Sequence, residues 1–333
     1  MVDVILDAMG GDHAPDAILE GAALAVASGF ASADQITLVG REELLRERID
    51  ALGLSHHNLS IVDAPEVVEP HESPVEAMRR KPRSSIAIGI GLVKSGHGDA
   101  FVSAGSTGVV AAAASLGLGT LEGIRRPGIA ISLQGEKGPV MIVDVGANPQ
   151  PKPLHLQQYA IMGAAYYQDT FGKESPRVGL MNIGSEAKKG NTLILESAEL
   201  IKDTSVNFVG NIEGVDLFHG KCDVVVCDGF TGNVIIKVSE GLAEYMLRTM
   251  ATMMTEVAGE EIASKVVAGM LPKVDYSAYG GALLLGTNGV VTICHGRSTA
   301  PAISNAIRVA HRAAGANVNQ HIVTMAREAS PAT

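Results

Sequence analysis

Tryptophan is absent from this chain of 333 residues, and aromatic residues make up only 4% of it. A surface that stacks bases on aromatic rings is therefore disfavoured. Positive charge is short as well. The 26 Lys and Arg stand against 36 Asp and Glu, a net charge of −10. That balance argues against broad contact with a phosphate backbone, so nucleic acid is not expected as a partner. Cysteine is scarce: Cys222, Cys227 and Cys294 form no CxxC pair and no even framework. Buried, reduced thiols of a cytoplasmic protein are the expectation. The opening run Val2–Asp7 lacks a basic region and carries two acids, so no secretory signal is expected. One uncharged stretch, Ala100–Leu121, approaches the length of a membrane span. Four glycines and a Ser-Ala-Gly-Ser-Thr core interrupt it, and a strand, a loop and an Ala-rich helix are expected there instead.

The common nucleotide and hydrolase signatures are missing too. No GxGxxG follows a strand-like run. Gly214–Lys221 has the outline of a P-loop, but His219 adds a residue and Cys222 stands where a Ser or Thr would bind magnesium. There is no GxSxG elbow and no HExxH, and His56-His57 is a polar loop pair without ligand spacing. Neither a cofactor nor a metal is expected.

What the chain does have is a core and many turns. Hydrophobic residues are 46%, charged residues 19%, and glycines number 38. Strand-like runs alternate with helical periodicity: strands at Val2–Asp7, Ile36–Val39, Leu59–Val62, Ala100–Val102, Arg177–Asn182, Val206–Val209 and Val224–Cys227, with helices between them. This order predicts an α/β fold, three layers deep, with a largely parallel sheet covered by helices on both faces. Ile129–Leu133 and Val140–Val143 flank a Gly135–Gly138 turn and predict a hairpin. A long helical region runs from Asn233 to Met270 with a break near Gly259, and a final helix spans Pro301–Ala313. Residues 1–333 read as one domain, with two intertwined lobes as the other arrangement. Residues 233–271 form a protruding helical segment, and the tail Ser330–Thr333 is expected to fray.

Glycine loops follow several of the strands, and polar residues crowd them. The loops are Ala8-Met9-Gly10-Gly11-Asp12, Ser103-Ala104-Gly105-Ser106-Thr107-Gly108, Asn182-Ile183-Gly184-Ser185-Glu186 and Asp228-Gly229-Phe230-Thr231-Gly232-Asn233. Loops of this kind expose backbone N–H groups at helix N-termini and hold anions, so together they suggest one composite site. Each has a plainer reading. Ser106 or Thr107 suits a phosphate oxyanion and suits a helix cap equally. Asp228 can act as an acid or base, or close an Asx turn. Lys188 and Lys189 can stabilise an oxyanion or sit in solvent. Asn148, after Asp144-Val145-Gly146-Ala147, can donate its amide to a carbonyl or phosphate oxygen. The basic run Arg79-Arg80-Lys81-Pro82-Arg83 can steer an acidic partner or form a solvated loop. Leu242, Met246, Met250, Met253 and Val257 lie at helical spacing, as in a core or dimer face, or a weak lipid contact.

In chain order, Met9–Asp12, Ser103–Gly108, Asp144–Asn148, Asn182-Ile183-Gly184 with Lys189-Gly190, Asp228–Asn233, Gly280–Gly286 and His295-Gly296 resemble the PlsX family, the bacterial phosphate acyltransferases. The match covers nearly the whole chain. The resemblance implies a fold similar to phosphotransacetylases and isocitrate/isopropylmalate dehydrogenases. It implies transfer of a fatty acyl group from acyl carrier protein to inorganic phosphate, with no cofactor and no metal. The acyl phosphate would then feed glycerol-3-phosphate acylation by a membrane acyltransferase. It further implies a homodimer with weak peripheral membrane contact. Site roles expected on this basis are phosphate binding by Ser103, Gly105, Ser106, Thr107, Gly108 and Arg79. Catalysis falls to Lys189, Asp228 and Asn233, with Asp7, Gly10, Gly11, Asp12, Asn148, Asn182, Thr231 and His295 in the surrounding loops. Ser106 stands where the family usually has Asn, and Ser185 where Glu is common. The rival readings are a phosphotransacetylase using short acyl-CoA, an NAD-dependent decarboxylating dehydrogenase and a non-catalytic scaffold. The dehydrogenase would need a metal-binding carboxylate cluster and an adenine pocket, neither of which is legible.

Overall fold

The computed structural model describes residues 2–69, 72–274 and 280–329, so the expectation for the tail Ser330–Thr333 lies outside the described residues. The strands are β1 (Val4–Asp7), β2 (Ile36–Gly40), β3 (Ser60–Asp63), β4 (Ala100–Ser103), β5 (Gly128–Gly135), β6 (Gly138–Val143), β7 (Val178–Met181), β8 (Phe208–Ile212), β9 (Val224–Val226), β10 (Ala282–Leu285) and β11 (Val290–Ile293). The helices are α1 (Asp16–Ala27), α2 (Glu42–Ala51), α3 (Pro74–Arg80), α4 (Ser85–Lys94), α5 (Thr107–Gly117), α6 (Pro153–Phe171), α7 (Thr192–Lys202), α8 (Gly229–Ala258), α9 (Glu260–Val274), α10 (Ala300–Gly315) and α11 (Val318–Glu328).

All the strands join one sheet in the order β3-β2-β1-β4-β11-β10-β5-β6-β9-β7-β8. Most neighbours are parallel. β10 runs antiparallel to both its neighbours, and β5 and β6 form the expected hairpin. Two parallel blocks therefore run in opposite directions, β1 to β4 with β11 one way and β6 to β9 the other.

Alternate side chains on a strand point to opposite faces, and here that alternation sorts the layers. Ile5, Phe101, Ile129, Ile131, Ile142 and Val225 pack with α4, α5 and the start of α8. On the other face, Val4, Leu6, Leu38 and Val102 pack with α1 and α10, while Ala130, Met141, Val143 and Val224 pack with α6 and α11. Two helices went unread in the sequence. α3 is short and ends in the basic run, and α11 follows Asn317, whose left-handed φ of 53° breaks it from α10. The eighth strand sits two to three residues beyond the Val206–Val209 run. The uncharged stretch Ala100–Leu121 divides into β4, a loop and α5, and among the described residues no helix is long and apolar enough to cross a membrane. All three cysteines are free and buried, as expected, and burial pushes the Cys294 thiol up to about 12.

Candidate active site

A cleft of about 710 Å³ opens on the α5/α8 face, where the two strand blocks meet. Its floor is apolar: Ile129 and Ile131 of β5, Ala282 and Leu284 of β10, and Ile293 of β11. One wall is α5, which presents Thr107, Gly108, Ala111, Ala112, Ser115 and Leu116, the successive positions of one helical face. The other wall is α8, with Asn233, Ile236, Lys237 and Glu240. Because β4 and β6 run in opposite directions, α5 begins at one end of the cleft and α8 at the other.

At the first end, the loops after β1, β4 and β11 are held together. Asp7 is fully buried and accepts from the Ser103 hydroxyl at 2.6 Å and the Met9 N–H at 3.0 Å. Ser103 Oγ in turn accepts the Gly105 N–H at 3.0 Å, and Asp12 N–H donates to Gly296 O at 2.7 Å. Only glycine fits at position 10, where a Cβ would come within 2.5 Å of Asp7 Oδ2 and 2.6 Å of Gly105 N. Burial raises the Asp7 carboxyl above its usual range, against the hydrogen bonds that favour its charged form. Ser106 occupies the N-cap of α5, but its side chain makes no capping bond. The exposed Thr107 and Gly108 then start the helix with N–H groups that lack intrahelical partners.

The other end repeats the device with different residues. Asp144, buried at the end of β6, accepts N–H groups from Ile129, Gly146, Ala147 and Asn148 at 2.7–3.1 Å. Burial raises its pKa as well. Asn148 Nδ2 donates to Pro127 O and to the Tyr159 hydroxyl, both at 2.7 Å. Arg126 lines this end.

A model of the family described as fatty acid synthesis protein matches residues 2–321. The phosphate acyltransferase of Desulforamulus reducens is 47% identical over 316 residues, which cover 93% of this chain and 93% of that protein. The chain belongs to the PlsX family. It is accordingly an acyltransferase. In fold it is similar to a phosphotransacetylase from Streptococcus pyogenes, with a TM-score of 0.64 at 18% identity over 94% of both chains. It is also similar to a 4-hydroxythreonine-4-phosphate dehydrogenase from Burkholderia phymatum, with a TM-score of 0.54 at 16% identity over 94% of this chain and 98% of the other.

In this PlsX chain the cleft gathers Thr107, Gly108, Asn148, Asn233 and His295 of the expected site residues. Ser103 and the Gly105 N–H are already engaged with Asp7 and with each other, so the start of α5 offers Ser106, Thr107 and Gly108 to a ligand. Asn148 has both amide hydrogens occupied, one by a carbonyl that can only accept, so it presents no donor to a substrate oxygen. Asp228 caps α8, with Oδ1 accepting from Thr231 N at 2.9 Å and Oδ2 from the Thr231 hydroxyl at 2.6 Å. Asn182 braces its own loop, donating to Lys189 O at 2.9 Å and accepting the Ile183 N–H at 2.8 Å. Lys189 is exposed and, with Asn182, Asp228 and Thr231, lies off the cleft lining. Arg79 also lies off it, on α3, although Pro74 and Val75 of the same helix line the cleft. Of the basic run, Arg80 pairs with Glu76, Lys81 with Glu72 and Arg83 with Asp63.

Three charged residues of the lining escaped the sequence reading: Arg126, Lys237 and Glu240. The last two were within reach of it, since Asn233, Lys237 and Glu240 fall at i, i+4 and i+7 on one helix face.

Proposed function

We propose that this acyltransferase moves a fatty acyl group from acyl carrier protein to inorganic phosphate. The observation that carries this reading is the cleft itself: a helix start with open N–H groups and hydroxyls at one end, and an apolar floor beside it. The first suits phosphate and the second an acyl chain. Hydrogen phosphate attacks the thioester carbonyl, the C–S bond breaks, and the phosphate proton passes to the departing thiolate. Acyl phosphate and the free carrier thiol result. Phosphate is nucleophilic near neutral pH and the thioester is already activated, so the protein's work is orientation and stabilisation of the oxyanion. Asn233, on the α8 wall, would donate to that oxyanion, and Lys189 would have to reach in from its exposed loop. Asp228 acts by capping α8 and fixing the entry of Asn233. The acyl phosphate then serves glycerol-3-phosphate acylation by a membrane acyltransferase.

The acidic carrier would meet the face bearing Arg79, which has no ion-pair partner among the described residues. We further propose a homodimer through α8, where Val238, Leu242, Tyr245, Met246 and Met253 are all more than half exposed. Weak peripheral membrane contact falls to the same helical segment.

The test is to incubate the purified protein with acyl-[acyl-carrier-protein] and radiolabelled phosphate, with acyl-CoA in a parallel tube. Labelled acyl phosphate from the carrier substrate is the expected result. Label from the CoA tube alone would make the protein a phosphotransacetylase, and no label in either tube would overturn the reading.

A further inference from the structure

Among the described residues, two full-time cations line the cleft, Arg126 and Lys237. The charge of Arg126 acts on His155 and Tyr159, beside Asn148. Lys237 lines the same cleft as His295. Its charge and that of Glu240 both act on His295, which follows β11 next to the β4 loop. Burial, then Lys237 and Arg297, hold the His295 imidazole below its usual range. The first end is assembled from the loops after β1, β4 and β11. Lys237 lies on α8, the opposite wall from α5, one helical turn beyond Asn233.

Lys237 is tethered there. Its Nζ donates to Glu240 Oε2 at 2.9 Å, while Glu240 Oε1 is buried with no hydrogen-bond partner among the described residues. The Lys237 side chain is 53% exposed and that of Glu240 25%, so this i, i+3 pair orients the ammonium at the cleft surface without burying it. A helix start supplies only about half an elementary charge. An inorganic phosphate dianion at α5 therefore calls for a full positive charge, and neither Arg79 nor Lys189 lines the cleft.

We propose that Lys237 binds the attacking phosphate from across the cleft, opposite the start of α5, and that Glu240 is the positioning residue that holds it there. This rests on the phosphate acyltransferase reading above and adds a residue that reading lacks. The phosphate site would thus be shared between the two strand blocks.

Two measurements test it. Direct phosphate binding, by calorimetry in the absence of acyl donor, should weaken by about ten- to a hundredfold in Lys237→Met, the loss expected of a charged hydrogen bond. Lys237→Arg should recover most of it. In steady-state turnover, the KM for phosphate should rise by a similar factor while the KM for the acyl donor stays within about twofold. Glu240→Gln should raise the phosphate KM less, and adding it to Lys237→Met should change nothing further. Phosphate binding unchanged in Lys237→Met overturns the proposal, as does an equal rise in both KM values. If Lys237→Met fails to fold, an unchanged phosphate KM in Glu240→Gln overturns the positioning role. Wild-type protein that binds phosphate yet forms no acyl phosphate would sink the proposed function and leave the phosphate site standing.

Discussion

Asp7 and Asp144 end two strands of opposite direction, and each gathers the N–H groups of a glycine loop around a buried carboxyl. The structure makes these residues braces for the site, since neither faces the cleft. Burial raises both pKa values, so the folded protein holds the proton more tightly than the unfolded chain does. Stability from this source is complete below the usual carboxylate pKa and is lost as pH rises through the raised one. Asp7→Asn stays neutral and escapes that loss. Its melting temperature should lie furthest below wild type in acid, and the gap should narrow as pH rises above the usual carboxylate pKa. Scanning calorimetry of both proteins checks this, and a gap independent of pH would refute it. The sequence pointed to Asp7 as a loop residue. It could not say that the acid faces inward, because that depends on β4 lying beside β1.

At the scale of elements, α8 is set by its first turn. Asp228 caps it, and Gly232 lets it press against the β6 loop: a Cβ at position 232 would come within 1.9 Å of Asp144 O. Gly241 lies on the same helix with nothing within 4 Å of an added Cβ. Gly232→Ala should therefore cost about 1–3 kcal/mol or more through overpacking. Gly241→Ala should be neutral or gain up to about 1 kcal/mol of helix propensity. Urea denaturation of the two variants separates these effects, and equal shifts would show that the close approach is not what fixes α8. Since Asn233, Lys237 and Glu240 ride on this helix, Gly232→Ala should also lower turnover. The Gly-Phe-Thr-Gly spacing was visible in the sequence. The reason for its second glycine was not, because Asp144 is 88 residues away in the chain.

At the scale of the whole molecule, α8 is the helix with the most exposed apolar side chains among the described residues. Its outer stripe is apolar and exposed along several turns, which for the proposed homodimer is the natural interface. The double change Leu242→Glu with Met246→Glu should turn dimer into monomer by light scattering, with the helical content of the fold retained. A wild-type protein that is already monomeric would reject the interface. Length, composition and the alternation of strand and helix determined the α/β class, and the ordered glycine loops determined the family, because turn chemistry and core periodicity are local properties of the chain. Strand direction is not local. Only the tertiary structure, through the antiparallel β10 and the β5–β6 hairpin, brought the start of α5 and the first turns of α8 to opposite walls of one cleft. It thereby left Lys189 and Arg79 outside the lining and brought Lys237 and Glu240 in, since pairing across the sheet joins residues far apart in the chain.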